Sequence, residues 1–97
     1  MSNISVICVD DEKIILDSLQ NELQTLLPED CEFEIAESGE EAISLIDEMV
    51  EEGTMPAVVV SDQIMPGMKG DELLINIHQK YPETMKILLT GQADADA

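Results

Sequence analysis

Short apolar blocks and amphipathic stretches alternate along this chain, and that alternation restricts the fold more than any single motif does. Ile4 to Val9, Cys31 to Ala36, the Val58–Val60 run ending at Asp62, and Lys86 to Leu89 read as strands. Between them lie segments whose apolar residues recur at three and four, the spacing of one helix face. The order is βαβαβαβ. Such an order implies an α/β fold with a doubly wound parallel sheet, right-handed crossovers and helices on both faces.

The boundaries follow from local chemistry. Lys13 to Leu27 carries Leu16, Leu19, Leu23, Leu26 and Leu27 on one face, and Pro28 stops it. In Cys31 to Ala36, Phe33 and Ile35 alternate with Glu32 and Glu34, which predicts a half-exposed edge strand. Ser38 with Glu41 has the spacing of a capping box. The helix it opens places Ala42, Leu45, Ile46, Met49 and Val50 inward and ends at Gly53. A third helix, Gly70 to Tyr81, turns Leu73, Leu74, Ile77 and Tyr81 inward and closes before Pro82. Ala93 to Ala97 reads as the first turn of another helix. The Val58–Val60 run is expected to be buried on both faces.

The chain has 97 residues, enough for one domain, and 44% of them are hydrophobic. Phe33 and Tyr81 are the aromatic residues, so the core must be aliphatic. Twenty-two acidic residues against 4 basic ones give a formal charge of −18. That charge argues against a nucleic-acid surface and against an anionic membrane. It suits a metal cation, a basic partner or plain solvation. The opening M-S-N runs directly into a short apolar strand, which predicts neither a signal peptide nor a membrane span. Cys8 and Cys31 form no C-x-x-C pair and read as small buried hydrophobes in a reducing cytoplasm. His78 sits beside Asn76 and Gln79 on an ordinary polar helix face, and Met65 and Met68 read as core or loop packing.

Polar groups gather where the strands end. Asp10 and Asp11 follow the first strand, Asp62 ends the third and Thr90 follows the fourth. In a parallel sheet all of these emerge at the carboxyl edge, where ligands bind in open α/β folds. Asp62 alone could be a turn-capping residue, since Pro66 and Gly67 turn the chain just beyond it. Three clustered carboxylates repel one another unless a cation or proton compensates. An all-oxygen donor set without His or Cys favours Mg²⁺. A carboxylate beside that ion can attack phosphorus and form an acyl phosphate, with the Thr90 hydroxyl bonding the phosphoryl oxygens.

The acidic pair in V-D-D-E, the stretch V-V-V-S-D-Q-I-M-P-G-M-K-G and the later L-L-T-G together resemble the receiver domain of two-component response regulators, along all 97 residues. The resemblance implies a flavodoxin-like sheet ordered 2-1-3-4. It implies that Asp62 is the phosphoacceptor, served by a phosphohistidine of a histidine kinase or phosphotransfer protein. Asp11, Asp62 and the backbone carbonyl of Ile64 would ligate Mg²⁺, Asp10 would hold a metal-bound water, and Thr90 would be the switch hydroxyl. An output domain in a longer parent protein is implied as well.

The chain departs from that pattern at its end. A complete receiver adds a helix, a fifth strand and a fifth helix, with a lysine after the fifth strand. None of Lys13, Lys69, Lys80 or Lys86 occupies that place. The reading is therefore a receiver domain, residues 1–97, incomplete at its C-terminus. Its fourth strand becomes an edge, so the chain is expected to pair with a second copy through that strand or the open flank of the first helix, or to exchange elements with it. The main expectation is a phosphoacceptor signalling module without separate substrate turnover. A phosphorylation-independent interaction domain is the alternative. A Mg²⁺-dependent phosphohydrolase resembling the haloacid dehalogenases is less well matched, because the position two after Asp62 is Ile64 and not a second aspartate.

Overall fold

The computed structural model describes residues 4–89. The apolar blocks form β1 (Ile4–Val9), β2 (Cys31–Ala36), β3 (Val58–Asp62) and β4 (Met85–Leu89), and the amphipathic segments form α1 (Lys13–Leu26), α2 (Gly39–Glu51) and α3 (Gly70–Lys80). The strands pair in parallel in the order β2-β1-β3-β4. Thr90 and the Ala93–Ala97 segment lie outside the described residues.

Helix ends obey the sequence signals to within a residue. Leu27 and Tyr81, each preceding a proline, leave the helical region and cap α1 and α3 from outside. The Ser38 hydroxyl accepts the Glu41 N–H at 3.1 Å. The return bond of this capping box comes from the Glu37 N–H to the Glu41 carboxylate at 3.1 Å, one residue earlier than the usual partner. Gly53, at φ 93°, ends α2 in the left-handed region that glycine adopts without strain.

The two faces of the sheet are filled unequally. Ile7, Val9 and Val59 pack with Ala42, Ile46 and Met49 of α2 and with Leu73 and Ile77 of α3. On the other face, Val6 and Cys8 meet α1, whose one fully buried residue is Leu16. Fully burying a Leu, Ile or Val side chain is worth about 1.5–3 kcal/mol. The α2–α3 side therefore carries most of the packing energy. Two expectations need correction on this account. Leu26 and Leu27 are exposed, because α1 is seated on the sheet through Leu16 and in part Leu23, and its last turn lies beyond them. β3 is not buried on both faces: Val59 is inaccessible, while Val58 and Val60 are half-buried beneath the single helix. Cys31 is likewise half-buried, whereas Cys8 is buried and its thiol pKa is raised by that burial.

The two edges differ in kind. β2 exposes Glu32 and Glu34, charges that discourage strand addition. Among the described residues no strand pairs with the outer side of β4, and Met85, Ile87 and Leu89 are exposed in a row on its α1 side.

One polar tie joins α2 to the end of α3. The Tyr81 hydroxyl donates to Asp47 Oδ1 at 2.6 Å, and Lys80 Nζ donates to both Asp47 oxygens at 2.9 and 3.0 Å. The hydroxyl first, then the ammonium, holds the Asp47 carboxyl below its ordinary pKa. A depressed folded pKa means stability that is present above the ordinary carboxylate value and lost as pH falls through the folded one. Tyr81→Phe should return Asp47 toward its ordinary titration, with Lys80 retaining part of the shift. Carboxyl-carbon NMR is the measurement, and an unchanged titration would exclude the hydroxyl as the main cause.

Candidate metal and phosphoryl site

The carboxyl edge of the sheet builds an acidic cleft of about 450 Å³. β1 delivers Asp10, which is only 7% exposed. Its N–H donates to the Ala36 carbonyl at 3.1 Å, extending the β1–β2 ladder by one bond. Its Oδ1 accepts the Glu12 N–H at 3.0 Å, which fixes the carboxylate at the start of α1. Asp11 follows in the open, and Asp62, the last residue of β3, is half-buried.

Carboxylate oxygens of Asp10, Asp11 and Asp62 lie within 4.8 Å of one another. Burial, the largest cause, raises the Asp10 pKa; the Glu12 amide opposes this, and the charges of Asp62, Asp11 and Glu12 reinforce it. Glu12 also lines the cleft, and no described lysine does. Four acidic side chains without a basic one, all offering hard oxygen donors, fit a divalent cation such as Mg²⁺. Ile15, Ile64 and Leu89 form an apolar rim around them.

The sequence-predicted residues Asp10, Asp11, Asp62 and Ile64 thus share one cleft. His78 does not approach it. It lies near the C-terminal end of α3, exposed, with Nδ1 2.8 Å from Lys86 Nζ. The four lysines are elsewhere: Lys13 pairs with Asp17, Lys80 with Asp47 and Lys86 with His78, while Lys69 precedes α3.

The loop after Asp62 is held at several points. Met65 is 1% exposed and anchors it in the core, and Met68 rests against Gly39 at the start of α2. Gly67, at φ 74°, makes the turn after Pro66. Gly70 closes the loop so tightly that an added Cβ would overlap the Asp62 carbonyl oxygen and lie 2.8 Å from Leu88 Cδ1. Sequence reasoning missed the polar pair that spans this loop. The Asp71 N–H donates to Gln63 Oε1 at 2.8 Å, and Gln63 Nε2 donates to Asp71 Oδ1 at 3.2 Å. The available signal was Lys69 at the N-cap position, since a lysine side chain cannot accept a bond from the helix amides.

A parallel sheet in this order, with an acidic trio at its carboxyl edge, is an arrangement that comparison with known proteins assigns to one family. The family model for the response regulator receiver domain matches residues 6–97, and the chain belongs to that family. The chain is 31% identical over 94 residues to the hydrogenase transcriptional regulatory protein HoxA of Cupriavidus necator, covering 95% of this chain but only 17% of that protein. Among solved structures, the signal receiver domain of an HD domain-containing protein from Pseudomonas fluorescens Pf-5 is similar at TM-score 0.78 and 33% identity, over 96% of this chain and 68% of that one. The Vibrio cholerae chemotaxis protein CheY4 is similar at TM-score 0.80 and 26% identity, over 96% of this chain and 72% of that one. No described helix is long and apolar enough to cross a membrane.

Proposed function

We propose that this chain is a phosphoacceptor module, a receiver domain over residues 1–97, whose Asp62 takes a phosphoryl group from the phosphohistidine of a histidine kinase or phosphotransfer protein. The observation that carries the reading is the meeting of Asp10, Asp11 and Asp62 within 4.8 Å, in a chain of the receiver family. Asp11, Asp62 and the Ile64 carbonyl would hold Mg²⁺, and Asp10 would hold a water of its shell. When bound, the ion supplies positive charge that offsets the phosphoryl oxygens. A carboxylate oxygen of Asp62 forms a bond to phosphorus while the donor's P–N bond breaks, and the electron pair leaves with the imidazole nitrogen. Asp10, fixed by the Glu12 amide, orients the acidic cluster. Thr90 is the switch hydroxyl that then bonds the phosphoryl oxygens.

The partners this supports are a cytoplasmic kinase and an output domain in a longer parent, as the much greater length of HoxA suggests. The exposed row Met85, Ile87 and Leu89 supports pairing with a second copy through β4. The alternative reading is an interaction domain that works without phosphorylation. Incubation with acetyl phosphate and Mg²⁺, followed by intact mass, separates the readings. The expected result is a gain of one phosphoryl group in the wild type and none in Asp62→Asn. No gain in the wild type would support the interaction domain, and sustained phosphate release a phosphohydrolase.

A further inference from the structure

Gln63 lies between two residues of the acidic cleft and uses every hydrogen-bonding group it has. Its N–H donates to the Leu89 carbonyl at 3.1 Å, and its carbonyl accepts the Gly70 N–H at 3.1 Å. Its side-chain oxygen accepts the Asp71 N–H at 2.8 Å, and its side-chain nitrogen donates to Asp71 Oδ1 at 3.2 Å. That same Asp71 oxygen accepts the Glu72 N–H at 2.8 Å. Of the first-turn amides of α3, which Lys69 cannot serve, those of Gly70 and Asp71 are satisfied by Gln63 across the loop and that of Glu72 by the Asp71 carboxylate.

We propose that the Gln63–Asp71 pair is a positioning latch for the metal site, holding the loop ends together so that the Ile64 carbonyl stays on the cleft. This rests on the reading of the cleft as a Mg²⁺ site. The latch differs from an ordinary helix cap in where its force is applied. An ordinary cap belongs to the residue beside the helix, whereas Gln63 is covalently next to both Asp62 and Ile64. The backbone bonds of Gln63 to Leu89 and Gly70 seat the start of the loop, and the side-chain bonds to Asp71 add a tie from the residue before Ile64 to the first turn of α3. Met65, buried just beyond, fixes the other side of the Ile64 peptide, so the carbonyl has two anchors. Outer-shell groups that orient metal ligands commonly govern affinity about 10–100-fold.

The test is the Mg²⁺ dissociation constant, read from amide chemical shifts well below the melting temperature of every variant. Gln63→Ala should weaken Mg²⁺ about ten-fold. Asp71→Ala should do the same, and the double variant should be no weaker than either single one, because both break one unit. Asp71→Asn keeps the accepting oxygen and removes the charge, so it should bind nearly as the wild type does. If Asp71→Asn falls with Asp71→Ala, the charge and not the latch is responsible, and the proposal is overturned. If Gln63→Ala lowers the melting temperature but leaves Mg²⁺ affinity unchanged, the pair is only a helix cap, and the proposal is again overturned. Wild-type binding that Asp11→Asn abolishes is the control for the site itself. Its absence would overturn the reading of the cleft, and the latch with it.

Discussion

Asp62→Asn should raise the melting temperature in metal-free buffer and remove the further rise that Mg²⁺ produces in the wild type. The first effect comes from electrostatics. Asp10, Asp11 and Asp62 sit within 4.8 Å of one another with no described lysine at the cleft, so neutralising one of them relieves repulsion. The second comes from linkage. At a Mg²⁺ concentration on the order of ten times Kd, binding to the folded state alone contributes about 1.4 kcal/mol. A domain of this size gains roughly 4–8 °C per kcal/mol. Asp11→Asn should lose the Mg²⁺ response as well. Thermal melts with and without the ion decide the matter, and a full response in both variants would place the metal elsewhere.

Gly70→Ala should be among the most damaging single substitutions in the chain. Its methyl group would overlap the Asp62 carbonyl oxygen and lie 2.9 Å from the carbonyl carbon. The backbone there has little freedom to retreat, because Gln63, next in the chain, is bonded both to Leu89 and to Gly70. Overpacking costs roughly 1–3 kcal/mol, and a rigid obstacle puts this case at the upper end. The melting temperature should fall on the order of 15 °C. Gly53→Ala is the instructive comparison. Gly53 has φ 93° but no neighbour within 4 Å, so its cost is conformational alone, about 1–2 kcal/mol. Equal melts for the two variants would show that the close approach at Gly70 is not the controlling contact.

Much of the sheet was legible because its signals are local. The valine run of β3, the alternation in β2 and the Ser38 cap each need only a few neighbouring residues to be read. The strand-end aspartates were legible for the same reason, once parallel order put them on one edge. α1 was misread in part. Its leucine stripe is real, but periodicity reports which face is apolar and not how far along the sheet that face is covered. Leu16 is buried, and Leu26 is exposed on the same helix. The polar ties escaped for a different reason. Asp47 and Tyr81 are 34 residues apart, and Gln63 and Asp71 are 8 apart across a loop. Their pairing depends on how the helices dock, which no sequence period encodes.

The shallow seating of α1, on Leu16 and in part on Leu23, should give the molecule a fast side and a slow side. β1 has a strand on each flank, so its amides exchange hydrogen with solvent only when the sheet itself comes apart. The amides of α1 should exchange through partial openings that leave β1, β3 and α2 intact, and on a much shorter clock. Glu12 and Ile15, at the head of that helix, also wall the acidic cleft. A cation bound in that cleft should therefore slow the exchange of the helix beside it.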